Sequence, residues 1–112
     1  NTNFCEACDL HGVNLSGFDL GLASLQMANL QGANLSKTSL EGAFLQGAYL
    51  NNADLRGANL EDANLVNTGM TKVKLTGAKI EGAKFYEANL TGATWVNGKT
   101  CGEGSIGKCV QE

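Results

Sequence analysis

The chain has 112 residues, a formal net charge of −3, fifteen glycines, no proline and few aromatic residues. That length supports one domain with one modest core, and so mild a charge gives no electrostatic reason to expect nucleic acid or anionic lipid as a partner. No apolar run approaches the roughly 20 residues of a membrane-spanning helix, so membrane insertion is not expected.

The chain starts at Asn1 without a methionine and shows no leader, as a processed mature protein or a trimmed chain would. Two of its four cysteines, Cys5 and Cys8, follow at once. From Leu10 to Trp95 every fifth residue is then large and apolar, without a skip, through Leu15, Leu20 and on to Met70, Ile80, Phe85 and Leu90. Two residues before each stands a small one, usually alanine, as in Ala28-Asn29-Leu30-Gln31-Gly32.

A period of five rejects the helix, because a turn of about 100° per residue would march the leucines around the cylinder. It rejects a continuous strand as well, since an odd period on a two-residue alternation sends successive leucines to opposite faces. Within one repeat the alternation works: Ala53 in, Asp54 out, Leu55 in. The conflict disappears if the chain turns a corner in every repeat. Glycine stands at the corner position in half of them, among them Gly12, Gly32, Gly57 and Gly82, with Asn or Asp at several others; these residues tolerate tight turns. Repeated corners make a coil, and stacked coils make a parallel β-solenoid.

At this point the chain resembles the pentapeptide-repeat family, whose signature A-(D/N)-L-X-X is met by Ala33-Asn34-Leu35-Ser36-Lys37 and Ala53-Asp54-Leu55-Arg56-Gly57. The resemblance implies an all-β fold, a right-handed quadrilateral parallel β-helix of about four and a half coils, with about 20 residues per coil. The expected layout is a single domain over 1–112, with an N-terminal cap at 1–7, repeats at 8–97 and a disulfide-looped C-terminal tail at 98–112. The narrow interior explains the alternation of large and small. Thr38 and Thr68 fit the small positions provided that their hydroxyls find backbone partners.

The ends carry the departures. Phe18 stands in a small position of the first coil and is expected, with Phe4, to plug the N-terminal opening; Trp95 is expected as a lid at the other end. A glycine-rich tail holding Cys101 and Cys109 follows. An even number of cysteines, paired at the two ends, points to disulfides and an oxidising compartment. Cys5-Glu6-Ala7-Cys8 is read as a structural bracket: a thioredoxin-like role needs a βαβ unit that is absent here, and zinc needs about four ligands within ~2.3 Å, whereas Cys101 and Cys109 lie a solenoid length away. Some extracytoplasmic pentapeptide-repeat proteins are similar in having such a bracket.

Outward positions twenty apart should stack in columns. Glu41, Glu61 and Glu81 form one acidic stripe, with Asp62 beside them, read in the first instance as a solvated wall. The next wall is apolar outside, with Phe44, Val66 and Tyr86 and with Leu22 and Met27 at its corners, and is the candidate interface. Lys72, Lys74, Lys79 and Lys84 form a basic belt. His11 is the sole histidine and has no Ser–Asp partner set, so no catalytic, cofactor-binding or metal site is assigned.

The functional expectation is a non-enzymatic scaffold or protein-interaction module, monomeric or weakly dimeric, with an unidentified protein partner. Its expected place is extracytoplasmic: a periplasm, a thylakoid lumen or the exterior. The resemblance implies one alternative, because some pentapeptide-repeat proteins mimic DNA and bind DNA gyrase to confer quinolone resistance. The present chain departs from that group in its short length, modest acidity and end cysteines. A redox role for Cys5 and Cys8 is the weaker alternative.

Overall fold

In a computed structural model that describes residues 5–111, the chain winds as a square coil whose successive turns lie twenty residues apart. Asp9 bridges Asn29, Asn29 bridges Tyr49, Tyr49 bridges Gly69 and Gly69 bridges Asn89, all in parallel. Four repeats therefore make one coil. Wall 1 is centred on Leu10, Leu30, Leu50, Met70 and Leu90, and wall 2 on Leu15, Leu35, Leu55, Leu75 and Trp95. Wall 3 is centred on Leu20, Leu40, Leu60 and Ile80, and wall 4 on Leu25, Leu45, Leu65 and Phe85.

The five backbone N–H groups of a repeat have distinct destinations, and these explain the consensus. The large residue and the corner residue donate to the coil ahead, as Leu30 does to the Tyr49 carbonyl at 2.7 Å and Gly32 to that of Asn51 at 3.0 Å. The residue before the large one donates to the coil behind, as Asn29 does to the Cys8 carbonyl at 2.8 Å. The small residue closes the corner: the Ala33 N–H donates to the Leu30 carbonyl at 3.1 Å. Only the residue after the large one is left over. Where Asn or Asp precedes the large residue, its side-chain oxygen accepts that remaining N–H. Ser16 donates so to Asn14, Ser36 to Asn34, Arg56 to Asp54 and Val66 to Asn64, each at 3.1 Å. Satisfying this last backbone donor favours Asn or Asp at that position, and half of the repeats carry one.

Inside, the large residues from Leu30 to Leu75 are fully buried. The two threonines in small positions find backbone acceptors, Thr38 Oγ1 donating to the Leu15 carbonyl and Thr68 Oγ1 to that of Leu65, both at 2.8 Å. At every corner from Ala7 to Gly92 the residue two after the large position has a positive φ, as the third residue of a type II turn requires. Glycine serves half of these. The others include Leu22 and Met27, at φ 60° and 63°, where a side chain is strained.

The repeat geometry begins three residues earlier than expected. Cys5 occupies a large position on wall 4: its N–H donates to the Ser24 carbonyl at 2.8 Å, and Ala7 turns the corner with φ 58°. Residues 5–7 therefore belong to the coil and not to a separate cap. Phe18 does not plug the N-terminal end, for it is 55% exposed. A phenylalanine in a slot sized for alanine has no room inward, and Phe4 lies outside the described residues.

At the C-terminal end the solenoid stops by a change of turn. The corner after Trp95 passes its positive φ from position 97 to Gly98 (φ 84°), and Trp95 N–H donates to the Lys99 carbonyl at 2.8 Å. A three-residue loop with glycine in the left-handed region is a hairpin connection, so the chain reverses. It runs back antiparallel over wall 2, with Thr94 opposite Thr100, and then over wall 1, with Asn89 opposite Ile106. Trp95 leans on Phe85, ring centroids 5.6 Å apart. Ser105 fixes the reversal: wholly buried, it donates to the Gly102 carbonyl at 2.6 Å and accepts the Val110 N–H at 2.9 Å.

Replacing Leu55 tests the assigned register. Leu55→Asp forfeits about 1.5–3 kcal/mol of burial and puts a carboxylate where no cation can follow, at a further cost of several kcal/mol. Against a total stability of order 5–15 kcal/mol, the expected outcome is loss of the cooperative melt in circular dichroism. A parental melt would show that Leu55 does not face inward.

Candidate interaction surface

Four large apolar side chains project from neighbouring corners and walls near the N-terminal half. Leu22 and Met27, 67% and 54% exposed, lie at the two ends of the Leu25 layer of wall 4; Phe44, 41% exposed, follows on the Leu45 layer, and Tyr49, 46% exposed, lies past the next corner on wall 1. Their grouping comes from the twenty-residue stack. Leu22 lies over Gly42, where an added Cβ would meet its Cδ2 at 2.7 Å, and Met27 Sδ lies over Gly47 in the same way. Phe44 and Tyr49 come two residues after those glycines. Gly42 and Gly47 therefore supply both the left-handed corner and the room for the side chains above.

Of the five residues proposed from the sequence, the structure brings Leu22, Met27 and Phe44 into this cluster. Val66 is half-buried on the same wall, and Tyr86 is 70% exposed but two coils beyond Phe44. Tyr49 was missed; its outward position just past the Gly47 corner was the available signal. Leu22 and Met27 stand in a conformation that costs a side chain on the order of 1 kcal/mol or more, although half the corners use glycine. The fold gains little from them, because most of each lies in solvent.

The twenty-residue register of wall 3 stacks Glu41, Glu61 and Glu81 in one column, and part of it borders a groove. Asp19, Glu41 and Asp62 line an open groove of about 580 Å³ at the corner between walls 3 and 4, with Leu22 on its rim. Glu61 is half-buried, and Glu81 stands a coil further on. Among the described residues no group of three or more His, Cys, Asp or Glu side chains could hold a metal ion.

Each end is fixed covalently. Cys5 joins Cys8 across the first corner, and Cys101 joins Cys109 within the tail, so that no cysteine is free. His11 Nδ1 lies 2.6 Å from Asp9 Oδ1 on the open surface of wall 1. The hydrogen bond to Asp9 raises the His11 pKa above its ordinary value, and the same bond holds Asp9 below its own. Arg56 clamps Asp54 through two bonds of 2.9 and 2.7 Å, which lowers the Asp54 pKa.

The sequence pattern of the family described as pentapeptide repeats (8 copies) matches residues 5–42, 28–65 and 53–92. Among solved structures, the chain is similar to HetL, a pentapeptide repeat protein involved in heterocyst differentiation regulation from the cyanobacterium Nostoc sp. strain PCC 7120. Identity is 38% and the TM-score 0.79 over 82% of this chain and 42% of HetL, so the chain spans less than half of that protein. It is also similar to a pentapeptide repeat protein from the thylakoid lumen of Arabidopsis thaliana, at 33% identity and TM-score 0.54, over 79% of this chain and 68% of that one. Likeness to the plasmid-mediated fluoroquinolone resistance protein QnrB1, at 20% identity and TM-score 0.50 over 82% of this chain and 63% of that one, is one of fold alone. Among curated proteins nothing matches the chain.

Two measurements follow from this geometry. Leu22→Gly combined with Met27→Gly relieves two left-handed side chains and is expected, in a denaturant melt, to leave the stability unchanged or to raise it by about 0.5–1 kcal/mol per site; a clear loss of stability would assign both residues to the fold. For His11, an NMR titration is expected to give a midpoint above about 6.5, returning toward that value in Asp9→Asn. Because the His11 value is raised and the Asp9 value lowered, the pair favours the fold fully between about pH 4 and pH 6.5, and loses that contribution as pH rises through the raised His11 midpoint or falls through the lowered Asp9 one. An unshifted midpoint would mean that the pair does not form.

Proposed function

The chain belongs to the pentapeptide-repeat family, and from that premise we propose that it is a non-enzymatic scaffold working outside the cytoplasm, where it holds a protein partner against the Leu22–Met27–Phe44–Tyr49 corner. The observation that carries the reading is the closure of all four cysteines in two disulfides, one at each end of an otherwise cysteine-free solenoid. Cytosolic thiol systems keep such pairs reduced, whereas a periplasm, a thylakoid lumen or the exterior lets them persist. The similarity to a plant protein of the thylakoid lumen supports this placement.

A scaffold role fits the walls. They carry outward columns on a rigid frame, and the sole histidine is engaged with Asp9 in open solvent, far from the arrangement of a general base and a nucleophile. HetL takes part in regulating differentiation, and an analogous role for this chain, which spans only part of HetL, would act through contact with other proteins. Net charge of −3 gives nucleic acid no electrostatic foothold.

Thiol alkylation in fractionated native cells tests the proposal. The protein is expected in an extracytoplasmic fraction, with its four cysteines modified only after reduction. Freely alkylated cysteines in a cytosolic fraction would overturn it.

A further inference from the structure

The C-terminal tail covers only half of the end it closes. It bonds to walls 1 and 2 through Leu90, Gly92 and Trp95, and, although Trp95 leans on Phe85 and Gly107 reaches the Glu87 corner, it leaves the strand edge of walls 3 and 4 without hydrogen-bond partners. Among the described residues, the N–H groups of Ile80, Gly82 and Phe85 have no acceptor, and the carbonyls of Ala78 and Ala83 have no donor. In the coil below, the corresponding groups of Leu60, Asp62, Leu65, Ala58 and Ala63 are all paired. Ile80, Ala83 and Phe85 are also partly exposed, whereas Leu60, Ala63 and Leu65 beneath them are wholly buried. An unpaired strand edge over an uncovered apolar interior is a template for another strand.

We propose that this edge, Ala78 to Phe85, binds one acidic segment of a partner protein as an additional parallel layer that turns with the Gly82 corner. The internal ladder fixes what fits. A residue in the next layer stands beside the one twenty before it, so the segment needs a small residue over Ala78 and Ala83 and a large apolar one over Ile80 and Phe85. Lys79 and Lys84, both exposed, top the outward columns between them and call for carboxylates there, while Glu81 calls for a basic residue. The matching sequence is small–acidic–large–basic–Gly–small–acidic–large. A second copy stacked end-on is a poorer occupant, since a continuing coil needs all four walls and the tail stands on two. The proposal rests on the scaffold reading only in giving the scaffold a partner; because its test reads single amides at one end, failure would leave the compartment assignment standing.

The test uses the intact, disulfide-bonded protein and the capped peptide Ala-Asp-Leu-Lys-Gly-Ala-Asp-Leu. Saturable amide shifts confined to residues 78–87, with slowed hydrogen exchange at Ile80, Gly82 and Phe85, are expected. A peptide with Lys in place of both Asp should bind roughly fivefold more weakly, and Lys79→Glu with Lys84→Glu should reverse that preference. Three results would each overturn the proposal. One is protection of those amides in the free protein, whether by its own chain or by a dimer seen in sedimentation. The others are shifts that fail to saturate or centre elsewhere, and binding that ignores the charge swap.

Discussion

The structure depends on one steric constraint: each wall of the coil admits one large and one small inward side chain, stacked on the same pair twenty residues away. Leu35 sits on Leu15 and beneath Leu55 because Asn14, Asn34 and Asp54 pair directly across the ladder. The small slot takes a threonine or a valine, since Thr38 and Val73 are wholly buried there, whereas Phe18 stands out in solvent at the open end. Once the interior is set, little else is free. Alternation fixes which residues face outward, the corner must reverse in two residues, and one N–H per repeat is left for an Asn or Asp side chain to take.

That economy is why the regular part of the fold was legible in the sequence. A five-residue period excludes helix and flat strand on geometric grounds alone, and the coil follows. What was not legible has physical reasons too. Cys5 fills a large position because a half-disulfide is an acceptable apolar filler, but a cysteine does not announce itself as a leucine. The tail lacks any period, so its path over walls 1 and 2 depends on the Asn97-Gly98 turn and on Ser105, two local features that read as ordinary loop. The candidate surface was partly legible. Phe44, Leu22 and Met27 follow from column arithmetic, whereas the exposure of Tyr49 and the distance of Tyr86 depend on how neighbouring corners share space.

The two ends meet the open-edge problem unequally. At the N-terminus Cys5 to Cys8 supply a wall-4 segment beneath the first full coil, bonded to Ser24 and Gln26, and the disulfide locks its corner. At the C-terminus the chain gives up the parallel ladder for an antiparallel return, which blocks continued coiling where it lies. The Cys101–Cys109 bridge holds that return in place, with a stabilisation on the order of 2–3 kcal/mol for so short a loop. The return crosses walls 2 and 1 and then folds back on itself, with Cys101 opposite Gln111, so among the described residues the edge of walls 3 and 4 stays unpaired.

Nine outward positions abandon the Asn/Asp rule: Ser24, Ser39, Phe44, Tyr49, Gly69, Lys74, Lys79, Lys84 and Thr94. Phe44, Tyr49, Lys79 and Lys84 each occupy the place where a side-chain oxygen would accept the N–H two residues on, and the N–H groups of Gln46, Asn51, Glu81 and Tyr86 indeed have no protein acceptor. Each of these four forgoes a bond worth about 1 kcal/mol, and none recovers it by burial, because all four side chains are exposed. Phe44 and Tyr49 belong to the apolar corner, beside the strained Leu22 and Met27; Lys79 and Lys84 stand on the unpaired edge. The solenoid itself has no use for any of these substitutions. These four lie on the two surfaces proposed to meet partners, while Ser39, Gly69, Lys74 and Thr94 show that the repeat tolerates the loss of the same bond elsewhere.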